Sequence, residues 1–173
     1  MSEKQINEET LSPCCEVEYE VYLRKYDLAH NLNKNYISEM FKINVLDGIW
    51  HTSIEIYDTE YFFGHGIKSC IPGKCNSYGK YVSRELIGKT RCNPDLFKEL
   101  LNEWSKEEWA PHTYHLLNHN CNHFSDYLSK FLLGKGIPAD ILKQAEDAKN
   151  SNISQLLEAN INIFNEFING PKK

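Results

Sequence analysis

The sequence predicts an α+β domain, because strand patterns dominate its first half and helix patterns its second half. Apolar and polar residues alternate over residues 17–23 and again over residues 49–57, as expected for strands with two unlike faces. Apolar residues at helical spacing follow Asn93 and, more clearly, Asn120. A length of 173 residues is sufficient for one domain with a sizeable core.

Three regions are expected along the chain. Residues 1–15 predict a polar, acidic N-terminal tail, residues 16–142 the domain, and residues 143–173 a helical extension. Apolar residues of the extension fall close to one helical face: Ile153, Leu156, Leu157, Ile161, Phe164, Phe167 and Ile168. Such a stripe is typical of a helix that packs on its own domain. A helix that binds a partner or a second copy is the alternative.

Local patterns predict the other elements. Residues 49–63 predict a hairpin that turns at Asp58, and residues 64–80 are rich in Gly, Pro, Asn and Ser, which indicates an irregular loop. Residues 82–87 predict a further strand. Asn93 is followed by proline and an acid, so it is expected to cap the next helix.

A cysteine at the start of a helix is the first candidate functional residue. An apolar stripe predicts that this helix ends near Gly134: Phe124, Tyr127, Leu128, Phe131 and Leu132. Asn120 is a suitable N-cap, which places Cys121 in the first turn, where free N–H groups and the helix dipole favour an anion. The pKa of a thiol there can fall by about 1–5 from its free value. We expect Cys121 to be a nucleophile; a buried, unreactive thiol is the alternative.

A histidine in the strand over residues 49–57 is the expected base. One face of this strand is mainly apolar: Trp50, Thr52, Ile54 and Ile56. The other face carries His51, Ser53 and Glu55, so the imidazole is expected to point away from the packed side, towards solvent or a cleft. Glu55 lies about 13 Å along the strand from His51, too far to orient its ring. The sequence therefore predicts a Cys/His dyad rather than a triad.

Other kinds of site lack a sufficient pattern. Cys70 and Cys75 form a lone C-x4-C without a second ligand pair, so neither a metal nor another cofactor is expected. Cys92 precedes the cap of its helix and is the weaker candidate nucleophile. The phosphate-binding, dinucleotide-binding and serine-hydrolase motifs are missing from the sequence.

The charge balance limits the expected partners. A net charge of −5 argues against general binding to nucleic acid or to anionic membranes. No apolar run approaches the roughly 18 residues of a membrane span, and the charged start is unlike a secretory signal. The cytoplasm, with access to the nucleus, is the expected location, and reduced cysteines are expected there.

Several motifs in order along the chain resemble the PPPDE-domain family. They occupy the segments 48–54, 61–67, 120–125 and 131–138, and the resemblance covers roughly residues 17–142. Within the family, the chain looks like a DeSI-type desumoylating isopeptidase. Phe62-Phe63-Gly64 and the segment 69–73 are closer to the SUMO-directed branch, whereas Asn122-His123 is a form also seen in the ubiquitin-directed branch.

The resemblance implies a permuted papain-like fold, an antiparallel sheet packed against a helix that carries the cysteine. By motif, Cys121 is the nucleophile and His51 the general base. The implied substrate is the isopeptide bond between a lysine and the C-terminal Gly-Gly of a ubiquitin-like modifier, SUMO before ubiquitin. The implied partners are SUMO- or ubiquitin-conjugated proteins of the Ubl conjugation pathway. Family members can be homodimers.

Two other interpretations stay open at this point. Lecithin–retinol acyltransferase-like proteins also place a strand histidine before an N-C-x-H-F helix and transfer acyl groups from lipids. They typically carry Glu after the cysteine, where this chain has Asn122, and often a membrane-anchoring segment. The second alternative is a non-catalytic domain that holds a modifier or partner recruited by the C-terminal helix.

Overall fold

The computed structural model describes residues 17–28, 30, 48–74 and 80–149. Its strands are β1 Tyr19–Asp27, β2 Trp50–Ile56, β3 Thr59–Gly64, β4 Gly66–Cys70 and β5 Lys80–Thr90. Its α-helices are α1 Pro94–Trp104, α2 Cys121–Leu133 and α3 Ala139–Lys149, with a 3₁₀ turn at Pro111–Thr113. The strands form one antiparallel sheet in the order β4-β3-β2-β1-β5.

The core lies between one face of the sheet and the helices. The sheet contributes Val21, Leu23, Ile54, Ile56, Tyr61 and Phe63; the helices and their connections contribute Phe97, Leu101, Trp109, Phe124, Leu128, Leu132, Ile137 and Ile141. Phe124 and Leu128 are wholly buried, as their place in the predicted stripe requires. The predicted α+β class, with the cysteine helix packed on an antiparallel sheet, is confirmed.

Local signals locate the elements that matter for the site. The hairpin of β2 and β3 forms as predicted, with Tyr57 and Asp58 at positive φ in its turn. The Asn93 side chain caps α1 by accepting from the N–H groups of Asp95 and Leu96. Gly134 ends α2 in the left-handed conformation.

Part of the segment expected to be an irregular loop is instead the strand β4. The chain reverses at His65, and Gly66 takes a φ of +96° there. Gly64 then pairs with Gly66, and the pairing continues to Glu60 and Cys70. Because β4 adds backbone hydrogen bonds at an existing sheet edge, it forms despite a composition that favours turns.

Several expectations concern residues beyond those described. The predicted tail over residues 1–15 and the apolar stripe between residues 153 and 168 lie outside the described part of the chain. Helix α3 begins before residue 142 and continues through it to Lys149. Within the described ranges, no helix is both long enough and apolar enough to cross a bilayer.

Candidate active site

Helix α2 begins with a capping box, which fixes Cys121 in its first turn. Asn120 Oδ1 accepts hydrogen bonds from the N–H groups of Asn122 (2.9 Å) and His123 (3.2 Å). In return, His123 Nδ1 accepts from the N–H of Asn120 at 3.3 Å. This reciprocal capping box confirms Asn120 as the N-cap and satisfies several N–H groups that a helix start leaves open.

The side chain of Asn122 joins this helix start to the strand that carries His51. Its Nδ2 donates to the carbonyl of Trp50 at 3.0 Å, and its Oδ1 accepts from Thr52 Oγ1 at 2.9 Å. Trp50 and Thr52 are the residues on either side of His51. One buried amide therefore holds the first turn of α2 against β2 at the position of the histidine.

The thiol of Cys121 lies at the same junction. Its Sγ donates to Asn122 Oδ1 at 3.7 Å, and the backbone N–H of Thr52 also reaches the sulfur and lowers the pKa of the thiol. Residues Ile54 to Ile56 of β2 pair with β3. Nearer the start of β2, Thr52 contacts helix α2 through the Asn122 side chain. The structure thus brings Cys121 next to the backbone that follows His51, although the two residues are far apart in sequence.

The imidazole of His51 is buried, which corrects the expectation that it faces solvent or a cleft. His51 is 1% exposed, and its ring centroid lies 5.9 Å from that of Tyr26 and 5.7 Å from that of Phe62. These two residues come from the strands β1 and β3, on either side of β2 in the sheet. The face of β2 that carries His51 is therefore covered by side chains of its neighbours.

The buried carboxylate of Glu60 connects the segments that cover this face of β2. Glu60 is 0% exposed and accepts from Tyr26 Oη (2.8 Å), Ser53 Oγ (2.6 Å) and the N–H of Gly73 (2.9 Å). The last bond ties the turn after β4 to the face that carries His51. Since a buried charge is stable only when it is well hydrogen-bonded, Glu60 fixes three separate segments around it.

Glu55 is engaged elsewhere, in agreement with the prediction that it does not orient His51. Its carboxylate pairs with Arg24 Nε at 2.5 Å and with Arg84 Nη2 at 2.7 Å. Glu55 therefore does not complete a triad with the two candidate residues. Asn122 and Thr52 are site residues that the sequence pattern did not identify.

Burial gives the two candidate residues unusual pKa values. It raises the pKa of the Cys121 thiol to about 11, although the N–H groups of Thr52, Asn122 and Cys121 itself oppose the change. Burial likewise lowers the pKa of His51 to about 3. The expected decrease of the thiol pKa is thus wrong, because loss of solvent outweighs the helix start. Near neutral pH the pair is a thiol and a neutral imidazole.

The raised thiol pKa predicts how Cys121 reacts with iodoacetamide in the absence of substrate. Because only the thiolate reacts, the alkylation rate should rise about tenfold per pH unit from about pH 7 and should not level off below about pH 10. Mass spectrometry of modified peptides would measure it, with the Cys121→Ser protein as the background for other cysteines. A rate independent of pH between about 6 and 8 would contradict the prediction and indicate a thiolate–imidazolium pair.

The other cysteines differ from the candidate. Cys92 is half-buried and unpaired, and its Sγ lies 3.7 Å from the carbonyl oxygen of Asn93, ahead of the first turn of α1. Cys70 is disulfide-bonded, so the expectation of reduced cysteines is wrong at this position. Across the described ranges, no three His, Cys, Asp or Glu side chains form a cluster that could hold a metal ion.

Comparison with known proteins identifies the family. A family model described as "PPPDE putative peptidase domain" matches residues 19–161, most of the chain. The chain belongs to the PPPDE peptidase family. Desumoylating isopeptidase 1 of Xenopus laevis is 36% identical over 138 residues, which cover 79% of this chain and 80% of the relative. The human protein of that name is 35% identical over 140 residues, covering 80% and 82%.

A more distant relative matches only part of its own length. The Caenorhabditis elegans desumoylating isopeptidase 1 homolog is 29% identical over 131 residues, which are 70% of this PPPDE peptidase and 39% of the relative. The family resemblance noted in the sequence is thereby confirmed. So is the predicted enzyme class, a hydrolase of the cysteine isopeptidase type.

The bridge formed by Asn122 predicts a large stability effect in this PPPDE peptidase. Asn122→Ala leaves the carbonyl of Trp50 and the hydroxyl of Thr52 buried without this partner, and each such loss costs about 1–3 kcal/mol. We expect the free energy of unfolding in urea to fall by about 2–4 kcal/mol. Thr52→Val removes one of the bonds and should cost less.

A control separates the bridge from general effects of removing an asparagine. Asn102 is exposed on α1, so Asn102→Ala should change the free energy of unfolding by less than about 0.5 kcal/mol. If Asn122→Ala costs no more than Asn102→Ala, the bridge does not hold α2 to β2.

Proposed function

We propose that this PPPDE peptidase removes a ubiquitin-like modifier, SUMO before ubiquitin, from lysine side chains of conjugated proteins. Cys121 acts as the nucleophile and His51 as the general base. The observation that carries the proposal is the Asn122 bridge, which joins the helix start bearing Cys121 to the strand bearing His51. The names of the relatives support the modifier, because the frog and human proteins are called desumoylating isopeptidases.

The resting pair is neutral, so the reaction begins with proton transfer. His51 takes the proton of the Cys121 thiol as the sulfur attacks the carbonyl carbon of the modifier's last glycine, which gives a tetrahedral intermediate. The imidazolium then donates that proton to the lysine amine, and the C–N bond breaks to leave a thioester. Water attacks the thioester while His51 takes its proton, and the proton returns to the sulfur as the modifier leaves.

The helix start supplies charge stabilisation in both halves of the reaction. Negative charge develops on the glycine carbonyl oxygen in each tetrahedral intermediate. The N–H of Cys121 is in the first turn of α2, where backbone donors and the helix dipole favour an anion. We assign this N–H as the oxyanion donor.

The burial of the pair supports a tail without side chains as the substrate. Cys121 is 6% exposed and His51 is 1% exposed, so a peptide must enter a narrow space to reach the sulfur. Two consecutive glycines present only backbone, and only such residues pass where no side chain fits. A Gly-Gly C terminus therefore fits this site better than an ordinary peptide segment.

The proposal is tested with SUMO and ubiquitin that carry a C-terminal electrophile. Intact mass spectrometry should detect a covalent adduct with the wild-type protein and none with Cys121→Ser, and peptide mapping should place it on Cys121. The probe that reacts faster identifies the preferred modifier. If neither probe reacts while Cys121 still reacts with iodoacetamide, the isopeptidase proposal fails, and acyl transfer or modifier binding becomes the better hypothesis.

The location is part of the same proposal. We propose that the enzyme acts in the cytoplasm, with access to the nucleus, where the free thiols of Cys92 and Cys121 would stay reduced. Imaging of a tagged chain tests this, and retention in the secretory pathway would contradict it. The proposed partners are the conjugated proteins and a second copy of the chain, and gel filtration with light scattering measures the oligomeric state.

A further inference from the structure

The segment that leads into His51 has its backbone groups held from several directions. The N–H of Ile49 donates to Asp27 Oδ1 at 3.1 Å, and the carbonyl of Ile49 accepts from the N–H of Leu28 at 2.8 Å. Gln144, on α3, supplies the next two bonds. Its Nε2 donates to the carbonyl of Gly48 at 3.0 Å, and its Oε1 accepts from the N–H of Trp50 at 3.2 Å.

The amide of Gln144 thus takes the role of a neighbouring strand. It satisfies a carbonyl and an N–H two residues apart on one edge of the chain, the two groups that one residue of a parallel partner strand would bind. The backbone segment that Gln144 holds includes a conformation that residues other than glycine rarely adopt. Gly48 has a φ of +131°, and a Cβ there would lie 2.5 Å from the ring of Trp50.

Two amides from two helices therefore hold the residue that precedes His51. The N–H of Trp50 is bound by Gln144 of α3, and its carbonyl is bound by Asn122 of α2. These two bonds hold the peptide groups on either side of Trp50, and the group held by Asn122 is the one that joins Trp50 to His51. A shift of about 1 Å in a catalytic group can cost on the order of 10²-fold in rate, so this orientation matters for the reaction.

Helix α3 is firmly attached to the body of the domain, which makes Gln144 an effective support. Ile141 is 2% exposed and belongs to the main core cluster, and Ala145, next to Gln144, is 8% exposed. The amide is therefore carried on a packed helix rather than on a free surface.

We infer that Gln144 is a positioning residue for His51. The inference rests on the proposed function, in which His51 is the general base. It also makes α3, which extends past residue 142, part of the unit needed for catalysis. Gln144 does not touch the reacting atoms; it acts by holding the segment from Gly48 to Trp50.

The test compares two variants in hydrolysis of a SUMO C-terminal fluorogenic amide. Gln144→Met keeps the length of the side chain and removes both hydrogen bonds. It should lower kcat about tenfold and change KM by less than about twofold, because the modifier surface is unchanged. Glu146 is exposed on the same helix, so Glu146→Ala is the matched control and should retain the wild-type kcat.

Gln144→Glu gives a signature that a purely structural role would not produce. The ionised carboxylate still accepts from Trp50 but cannot donate to Gly48, whereas the protonated acid can do both. The kcat of this variant, relative to wild type, should therefore rise as the pH falls from about 8 towards the pKa of a glutamic acid, about 4.3 when free.

The outcomes separate this inference from the proposed function. If the wild-type protein hydrolyses the amide and both Gln144 variants keep its kcat and pH profile, the inference is wrong and the proposed function stands. A lower unfolding temperature in Gln144→Met with unchanged kcat also overturns the inference. If Gln144→Met fails to fold, the pH profile of Gln144→Glu decides. If the wild-type protein hydrolyses neither SUMO nor ubiquitin amides, the proposed function fails, and the inference fails with it.

Discussion

Cys121→Ser is expected to lower kcat for isopeptide hydrolysis by at least on the order of 10³-fold and to leave the fold intact. The serine hydroxyl is a far weaker nucleophile than a thiolate, and a neutral imidazole of low pKa is a poor base for it. Serine has nearly the same size as cysteine and can use the same neighbours, the Thr52 N–H and Asn122 Oδ1. Single-turnover cleavage of a SUMO–lysine conjugate measures the loss.

The matched control for this variant is Cys92→Ser. Cys92 is also a free cysteine beside a helix start, but it lies ahead of the first turn of α1, and its carbonyl accepts from Tyr57, at the opposite end of β2 from His51. Its replacement should change kcat by less than about twofold. Retained turnover in Cys121→Ser would show that another group attacks the carbonyl, and a collapse of its thermal unfolding transition would show that Cys121 is needed for packing.

Removal of the imidazole at position 51 should cost about as much activity. His51→Ala is expected to lower kcat on the order of 10³-fold, because it removes the proposed general base. His51 is wholly buried between Tyr26 and Phe62, so alanine also leaves a cavity, and we expect a loss of about 2–3 kcal/mol in stability. His51→Gln fills more of this space and should lose activity with a smaller loss of stability.

The lowered pKa of His51 adds a test that does not depend on turnover. The unfolded chain binds a proton at an ordinary histidine pKa near 6.5, whereas folded His51 stays neutral down to about 3. Stability supplied by this group is therefore present above about pH 6.5 and is lost as the pH falls towards 3. Urea unfolding of the wild-type protein should show this loss, and the part due to His51 should vanish in His51→Gln.

An exposed histidine serves as the control for both measurements. His112 lies on the surface in the 3₁₀ turn, so His112→Ala should keep the wild-type kcat and the wild-type loss of stability in acid. If His51→Gln turns over substrate at the wild-type rate, the dyad is wrong, whatever its stability shows.

Structural features that depend on residues close together in the chain could be predicted from the sequence. The capping residue Asn120 and the terminating Gly134 are present as predicted, because capping depends on neighbours in the chain. The predicted stripe of α2 is buried at Phe124, Leu128 and Leu132, whereas Phe131 is exposed. The alternation in β2 likewise located the strand that carries His51. The two candidate residues were found in this way.

Features that depend on distant parts of the chain could not be predicted. His51 is buried by Tyr26 and Phe62, which lie on two other strands. The sequence on either side of His51 contains no pattern that predicts this burial. The raised pKa of the Cys121 thiol follows from the same kind of tertiary burial. The amide bridge of Asn122 reaches 72 positions back along the chain, and a single asparagine carries no sign of such a partner. Strand β4 was missed because pairing with β3 overrides a turn-like composition.

The contact between β2 and α2 can form only late in the synthesis of the chain. Trp50 leaves the ribosome 72 positions before Asn122, an interval of about 4–14 s at the usual speed of translation. For almost all of that interval Cys121 has not yet been synthesised either. A nascent chain that ends before Cys121 therefore lacks both Cys121 and the bridge, and the contact between β2 and α2 forms only with a strand made seconds earlier.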